Sequence, residues 1–401
     1  MPKICRVCEK SLSEFMTFGE MPIANSFVNI QEKKNQYFYE MLAAFCENCF
    51  TFQLLDVPAA EKMFNENYAY LASTSKEMQA HWSQLAETIC KEFKCSKESF
   101  IVEIGSNDGI FLKNIADRQI PHLGVDASGN VNEIAKTKGV STLNAFFNSK
   151  IAKDIVTIHG KADIIFSSNT MHHTENMNEV VKGMNILLKD NGTIITEDPS
   201  LKEMIIKNSY DQIYAEHMYI WSLHSVGSLF GRYDMEVYKI ENNNQHGGCS
   251  RYFISRKGNK KIEQSVIKHL QIEKKLELHK LKTFLNFKKN IDHSKRQLRE
   301  LLLSLKDKGK KIVGYGAPAK STTILNYCGI NHNDVKFICD TTPEKIGKYT
   351  PGTHIPIVSM KYFYSNLPDA IFLFAWNHKK EIFKKEKKII KRANWFAHVN
   401  L

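Results

Sequence analysis

Short apolar runs alternate with amphipathic segments from Ile101 to roughly Arg256. The apolar runs are typical of buried strands, and the amphipathic segments are typical of helices that cover a sheet. Strands that alternate with helices form a parallel-type sheet, so this region predicts a Rossmann-like α/β domain. A second alternating unit, with candidate strands at 311–316, 335–339 and 370–375, predicts a second, smaller C-terminal α/β domain.

Changes in this pattern divide the 401 residues into four regions. This division agrees with the two to three domains expected at about 150 residues each. We predict a small N-terminal domain at 1–60, the first α/β domain at 61–257, a helical connector at 258–310 and the second α/β domain at 311–401.

The composition limits the compartment and the partners. The net charge of +12 favours binding of anions such as phosphates and nucleotides. No stretch approaches the roughly 20 apolar residues of a membrane span, and the N-terminus has no apolar core of signal-peptide length. The nine cysteines show no disulfide-like regularity. We therefore expect a cytoplasmic protein without a membrane partner.

Two cysteine pairs lie near the start of the chain, Cys5 with Cys8 and Cys46 with Cys49. Each pair offers two thiolates from a tight turn, and four thiolates suit one tetrahedral zinc ion. The residues between the pairs must form a hairpin or loop that brings them together. A four-cysteine site leaves no open position for a substrate, so we predict a structural zinc ion. The alternative, a nucleic-acid-binding zinc ribbon, lacks the interleaved aromatic and basic residues of such surfaces.

An apolar strand near residue 101 runs into a glycine turn and then a helix. Glu103 precedes the turn, Gly105 and Gly109 permit close approach of a ligand, and Asp126 ends the next strand. A carboxylate at that place accepts hydrogen bonds from both ribose hydroxyls of an adenosine ligand. The turn resembles the first motif of S-adenosylmethionine-dependent methyltransferases, although Asn107 replaces the commoner middle glycine. The candidate cofactor-binding residues are Glu103, Gly105, Asn107, Gly109, Asp126, Ala127, Ser128 and Asn169.

Further motifs occur in a fixed order along the chain. The cysteine pairs enclose residues 19–27, the glycine turn follows at 102–109, and Tyr214, Glu216 and His217 precede a histidine with two glycines at 246–248. In this order the motifs resemble the sugar C-methyltransferase family of deoxysugar pathways. Segments at 314–321 and 375–377 also resemble that family's C-terminal domain, so the resemblance covers essentially the whole chain.

The resemblance implies an enzyme that uses S-adenosylmethionine to methylate C3 of a nucleotide-linked 4-keto sugar. It implies that His217 is the general base, accompanied by Tyr214 and Glu216. The chemistry is consistent, because a 4-keto group acidifies the C3–H bond and an imidazole can take that proton near neutral pH. If the segment is helical, Tyr214 and His217 share a face; if it is extended, Tyr214 and Glu216 lie opposite His217.

The resemblance also implies residues that line the substrate site. Lys320 and Ser321 are expected near the diphosphate, although an ordinary strand–helix turn is the alternative for 314–321. Either His172 or His173 faces inward, and Tyr70 is either a ligand contact or a packing aromatic. The candidate substrate-binding residues are Tyr70, His173, His246, Gly247, Arg251, Lys320 and Ser321.

Other functions fit parts of the pattern. An O- or N-methyltransferase that acts on another small molecule shares the cofactor turn and needs no carbon acid. A nicotinamide-dependent oxidoreductase would place its cofactor near Gly314, where the glycine pattern lacks the third glycine of a dinucleotide turn. A sugar C-methyltransferase accounts for more of the motifs than either.

Overall fold

The computed structural model describes residues 3–59, 63, 71–74 and 76–400, and Tyr70 lies outside them. Within these residues the strands, β1 to β16 in chain order, are Ser13–Pro22, Phe38–Phe45, Phe52–Leu54, Ile101–Ile104, His122–Asp126, Thr142–Asn144, Ala162–Ser168, Leu188–Pro199, Tyr219–Ile220, Met235–Asn243, Cys249–Arg256, Ile312–Tyr315, Ile338–Asp340, Ile357–Ser359, Ala370–Leu373 and Asn394–Phe396. The α-helices are Lys76–Glu92, Leu112–Ala116, Gly129–Thr137, Ser149–His159, Met177–Leu187, Leu201–Lys207, Leu223–Gly231, Gln264–Lys275, Leu281–Asp307, Ser321–Tyr327, Met360–Ser365, Lys379–Lys385 and Lys387–Ile390. Short 3₁₀ helices lie at Glu32–Asn35, Ala72–Thr74, Met171–His173, Tyr210–Gln212, Gln245–Gly247 and Trp376–His378.

The first sheet is antiparallel, in the order β1-β2-β3-β9. Strands β1 and β2 lie between the two cysteine pairs in the chain and form an antiparallel hairpin. This is the hairpin that is needed to bring the two pairs together. The last strand, β9, comes from a much later part of the chain and pairs with β3. The N-terminal sheet therefore includes a strand that begins two residues after His217.

The second sheet has the order β10-β11-β8-β7-β4-β5-β6. Strands β8, β7, β4, β5 and β6 are parallel, which confirms the predicted Rossmann-like arrangement. Strands β10 and β11 add an antiparallel edge that the sequence reasoning did not predict. The connection between them is too short for the crossover helix that a parallel pair needs.

The third sheet is wholly parallel, in the order β14-β13-β12-β15-β16. The strand predicted at 335–339 is observed at Ile338–Asp340, because Val335 still belongs to a turn in which its N–H donates to the Asn331 carbonyl. The predicted helical connector is observed as the helices Gln264–Lys275 and Leu281–Asp307.

One apolar core joins the three sheets, and the helix Leu281–Asp307 contributes to it. Phe284 of this helix stacks on Phe45 of β2, with ring centroids 4.2 Å apart. A second core covers the other face of the second sheet and contains Trp82, Phe111 and Phe166. Among the described residues, no helix is both long enough and apolar enough to cross a bilayer.

Glu273 is buried on the helix Gln264–Lys275 and accepts hydrogen bonds at the start of the helix Leu223–Gly231. Its carboxylate lies 2.7 Å from the Leu223 nitrogen, 2.6 Å from His224 Nδ1 and 3.4 Å from His269 Nε2. Burial raises the pKa of Glu273, but the hydrogen bonds from His224 and His269 outweigh it and lower the pKa to about 2. The ionised carboxylate therefore stabilises the folded state.

We expect Glu273→Gln to lower the free energy of unfolding at pH 7 by about 2–4 kcal/mol, because it removes a buried charge with several donors. The folded pKa lies below the unfolded value, so this contribution is present above roughly pH 4.3 and is lost as the pH falls towards 2. Urea unfolding at several pH values measures it. Glu277→Gln, at an exposed carboxylate near the end of the same helix, is the control and should change stability little.

Candidate active site

A cavity of about 970 Å³ lies over the carboxyl ends of the parallel strands of the second sheet. The glycine turn after β4, the residues after β5, and residues of the segments 214–217 and 318–320 all line it. Ligands of open α/β sheets bind at this edge, because the loops after parallel strands meet there. The cavity therefore joins the predicted cofactor site to the predicted substrate site.

The glycine turn has the left-handed backbone that its sequence suggests. Gly105 has φ +74°, and a Cβ there would lie 2.0 Å from Thr170 Oγ1. Asn107, with φ +46°, also has a left-handed conformation, which asparagine tolerates. Gly109 is absent from the described lining of the cavity, because it packs against the helix Gly129–Thr137, and a Cβ would lie 3.1 Å from Ala135 Cβ. Its role is therefore to place the helix close to the turn.

The acidic residues of the predicted cofactor site lie together. Asp126 accepts hydrogen bonds from the Asn107 and Ser128 nitrogens, both at 2.9 Å. Burial raises the pKa of Asp126. Burial also raises the pKa of Glu103 well above its usual range, and the nearby Asp126 and Asp108 carboxylates add to this shift. Glu103 Oε2 is buried and has no hydrogen-bond partner among the residues described here, which fits a site that a polar ligand completes. The other predicted cofactor contacts that line the cavity are Gly105, Asn107, Ala127, Ser128 and Asn169.

His217 also lines the cavity and is buried. Its Nδ1 lies 2.8 Å from the Gln212 carbonyl oxygen. Because a carbonyl oxygen can only accept, Nδ1 carries the hydrogen and Nε2 keeps its lone pair. Burial and the neighbouring His172 and His173 hold the pKa of His217 well below its usual value, so the imidazole is neutral.

The segment before His217 is a turn, which neither the helical nor the extended alternative describes. The His217 N–H donates to the Tyr214 carbonyl at 2.8 Å, and the two rings lie 3.9 Å apart between centroids. Glu216 points to the N-terminal region, where Asn25 Nδ2 donates to both of its carboxylate oxygens at 2.8 and 2.9 Å. Burial raises the pKa of Glu216 to about 7 despite the hydrogen bonds from Asn25. All three predicted catalytic side chains line the cavity.

The predicted substrate residues divide into two groups. His173, His246 and Lys320 line the cavity, and so does His172, so both adjacent histidines face inward. Lys320 is buried, with Nζ 3.6 Å from Asp211 and 4.6 Å from the centre of the Trp376 ring. These residues are in place to contact a ligand.

Arg251, Gly247 and Ser321 do not line the cavity in this structure, and each is engaged elsewhere. Arg251 on β11 is engaged by Glu197 and Glu241, at 2.8 and 2.9 Å. Gly247 packs against Trp376, since a Cβ there would lie 2.5 Å from the indole ring. The Ser321 hydroxyl donates to the Pro318 carbonyl at 2.7 Å, inside the turn.

Sequence reasoning missed three features of the cavity. Asn25 lies within the recognised segment 19–27, which could have marked it as functional. Asp198 Oδ1 lies 2.5 Å from His172 Nδ1 in a hydrogen bond, and both residues are buried. Lys345 lines the cavity, and its Nζ donates to the Ala317 carbonyl at 2.9 Å. No local pattern distinguishes Lys345 among the many lysines of the chain.

The four cysteines of the N-terminal pairs form one cluster. Cys5 Sγ lies 3.5 Å from Cys49 Sγ, Cys8 Sγ lies 3.4 Å from Cys46 Sγ, and all four sulfur atoms lie within 4.8 Å of one another. Zinc–sulfur bonds of about 2.3 Å place tetrahedral sulfur atoms about 3.8 Å apart. The cluster therefore fits the predicted zinc ion, and its four buried thiolates leave no open position.

Comparison with known proteins gives matches along most of the chain. Residues 5–64 match the family model described as "Putative zinc binding domain", residues 75–240 match "Methyltransferase domain", and residues 244–399 match "C-methyltransferase C-terminal domain". A curated relative, C-methyltransferase NovU of Streptomyces niveus, is 28% identical over 395 residues, which are 98% of this chain and 94% of NovU.

Solved structures also match in part. A SAM-dependent methyltransferase of Anabaena variabilis is 16% identical, with a TM-score of 0.37 over 45% of this chain and 86% of its own. The magnesium protoporphyrin IX methyltransferase of Synechocystis is 11% identical, with a TM-score of 0.36 over 44% of this chain and 83% of its own.

The chain is an S-adenosylmethionine-dependent methyltransferase, as the methyltransferase-domain match and the cavity at the glycine turn indicate. The matches to the C-methyltransferase C-terminal domain and to NovU make the class more specific. It is a C-methyltransferase related to NovU, with a four-cysteine zinc site before the methyltransferase domain.

Proposed function

We propose that this enzyme removes the C3 proton of a nucleotide-linked 4-keto-deoxysugar and methylates the resulting enolate at C3. The observation that carries the proposal is the placement of His217, whose Nε2 lone pair is left available in the cavity that the cofactor turn also lines. A ketone makes the neighbouring C–H acidic enough for an imidazole base. S-adenosylmethionine supplies the methyl group.

The residues around His217 support its role as the base. The Gln212 carbonyl fixes the tautomer, so His217 takes the C3 proton at Nε2 without first reorienting. The Tyr214 ring packs against the imidazole and limits its rotation. Glu216, held by Asn25, faces the same cavity as an acid or hydrogen-bond partner for the polar groups of the sugar.

Two lysines of the cavity, Lys320, which is buried, and Lys345, which is half-buried, support a nucleotide-linked substrate. Both lysines line the cavity; Lys320 ends the loop 316–320, and Lys345 Nζ donates to the Ala317 carbonyl of the same loop. Burial lowers the pKa of each lysine. Asp211 raises the pKa of Lys320, and Asp340 raises that of Lys345, so each carboxylate favours the charged ammonium group. Lysine ammonium groups bind diphosphates as point charges. We assign the diphosphate to this end of the cavity, as the Lys320 prediction expects.

The test is mass spectrometry of the products formed from S-adenosylmethionine and a panel of nucleotide-linked 4-keto-6-deoxysugars in deuterated buffer. The proposal expects one added methyl group on carbon, together with C3 hydrogen exchange that requires the enzyme. Methylation on oxygen or nitrogen without C–H exchange would overturn it in favour of the alternative acceptor class. Bound cofactor with no methylated sugar in the panel would overturn the substrate assignment.

Asp126→Asn should weaken S-adenosylmethionine binding by roughly 10–100-fold, because an amide replaces a charged acceptor for the ribose hydroxyls. The asparagine oxygen can still accept from one of the two nitrogens that hold the loop, so the turn is retained. Isothermal titration calorimetry with the cofactor measures the change. Asp117→Asn, at an exposed carboxylate, is the control and should bind normally. An unchanged affinity in Asp126→Asn would remove Asp126 from the cofactor site.

A further inference from the structure

Three imidazoles meet at the substrate end of the cavity. His172, His173 and His217 each offer a ring nitrogen, and these nitrogens lie within 4.8 Å of one another. The ring centroids of His172 and His217 are 4.3 Å apart, and those of His173 and His217 are 5.3 Å apart. Three clustered imidazoles that face a cavity exceed what a single general base requires.

The surroundings of two of these histidines are those of metal ligands. His172 Nδ1 is held at 2.5 Å by the buried Asp198 carboxylate, and His217 Nδ1 is held at 2.8 Å by the Gln212 carbonyl. In both rings Nδ1 is occupied by an oxygen partner, so Nε2 is the nitrogen that remains for a metal ion. Metal-bound histidines almost always have their second nitrogen on a carboxylate or backbone carbonyl, which fixes the ring and increases its ligand strength.

We propose that His172, His173 and His217 form a binding site for a divalent transition-metal ion, separate from the four-cysteine zinc site. Zinc–nitrogen bonds of about 2.0–2.1 Å hold tetrahedral nitrogens about 3.4 Å apart. Binding therefore draws the ring nitrogens, which lie within 4.8 Å of one another, together by about 1.4 Å at most. The cavity supplies space for a water molecule as the fourth ligand. Neutral imidazole ligands favour Zn²⁺, Co²⁺ and Ni²⁺ over Mg²⁺ and Ca²⁺.

Occupancy of this site has a consequence for catalysis, which rests on the proposed function. A metal ion bound at His217 Nε2 uses the lone pair that would take the C3 proton. The metal ion and the proton transfer therefore compete for one nitrogen atom. Zn²⁺ should inhibit methyl transfer, and a chelator that leaves the four-cysteine zinc ion in place should reverse the inhibition.

The experiment uses the full chain with one zinc ion already bound per molecule. Co²⁺ is added as the probe, because its visible absorption distinguishes nitrogen ligands from thiolates. The expected result is one further equivalent of Co²⁺ with the weak bands of a nitrogen and oxygen site and no thiolate charge-transfer band. Zn²⁺ should displace it, and the same Zn²⁺ range should inhibit methylation.

Substitutions assign the site. His172→Gln and His173→Gln should each weaken Co²⁺ binding by at least about tenfold. His246→Gln removes another imidazole of the same cavity that lies outside the cluster, so it should leave Co²⁺ binding unchanged. Two variants are used because one of them could be misfolded, and circular dichroism shows whether each variant is folded.

The outcomes separate this proposal from the proposed function. Absence of a further equivalent of Co²⁺, or equal binding by the cluster variants and the unsubstituted protein, would overturn the metal site whatever the enzyme methylates. If the metal ion binds but increases the rate of methylation, the claim that the metal ion and the C3 proton compete for His217 Nε2 would be overturned. If no sugar is methylated, the proposed function fails while the Co²⁺ titration still decides the site.

Discussion

His217→Asn is expected to lower the rate of methyl transfer by about 10²–10⁴-fold, the usual contribution of a general base. The asparagine amide can still donate to the Gln212 carbonyl, so the turn that carries the residue is preserved. S-adenosylmethionine affinity should not change, because His217 belongs to neither the glycine turn nor the segment after β5 that forms the predicted cofactor site. Single-turnover rates, measured with saturating sugar and cofactor, give the effect on the chemical step.

A second measurement on the same variant distinguishes a base from a positioning group. Loss of the base removes C3 hydrogen exchange in deuterated buffer even when S-adenosylhomocysteine replaces the methyl donor. Loss of positioning alone slows methylation and leaves that exchange. Exchange at the unsubstituted rate in His217→Asn would contradict the assignment. His159→Asn, at a largely exposed ring stacked on Phe100, is the control for a neutral histidine replacement.

The features that were predicted correctly are those that short segments determine. The alternation of strands and helices, the left-handed turn at Gly105 and the two cysteine turns depend on local backbone conformation and hydrophobic period. The zinc cluster follows because one tetrahedral ion accounts for both pairs. The helical connector follows from its apolar spacing, and the helix Leu281–Asp307 buries Phe284, Phe287 and Ile291 on that face.

The predicted contacts that do not line the cavity differ in the direction in which their side chains point, and for a residue on a strand this direction depends on strand register. Arg251 was predicted to reach substrate, but it lies directly opposite Glu197 across the antiparallel pair of β11 and β8. The two residues share a face of the sheet, and the ion pair forms there. A shift of one residue in the register would have turned Arg251 to the other face. The sequence has no local signal for this register, because the antiparallel edge was itself not predicted.

Contacts between segments that are far apart in the chain could also not be predicted from local sequence patterns. Asn25 and Glu216 are 191 residues apart in the chain, yet they form the bidentate hydrogen bond that orients the carboxylate. Nearby, the Thr322 hydroxyl donates to the Ala24 carbonyl, and the Thr323 hydroxyl donates to the Ile213 carbonyl. The three sheets therefore meet around the candidate catalytic segment. This arrangement gives the zinc-binding region a direct connection to the cavity.

Cys46→Ser is expected to lower the free energy of unfolding by more than about 4 kcal/mol, because loss of a structural metal is among the largest single-residue effects. Cys46 is fully buried and follows β2, whose hairpin with β1 includes the turn that carries Asn25. Without zinc the hairpin loses its anchor, and Asn25 no longer holds Glu216. Methyl transfer should therefore fall together with the zinc content. Atomic emission, urea unfolding and the methylation assay measure the three effects.

The control and a graded zinc removal make this prediction specific. Cys90→Ser replaces a half-buried thiol outside the cluster and should retain zinc and activity. Stepwise removal of zinc from the unsubstituted protein by a strong chelator should reduce activity in proportion to zinc lost, and S-adenosylmethionine binding should fall less, because the cofactor turn belongs to the second sheet. Full activity in zinc-free protein would show that the hairpin holds Asn25 against Glu216 by packing alone.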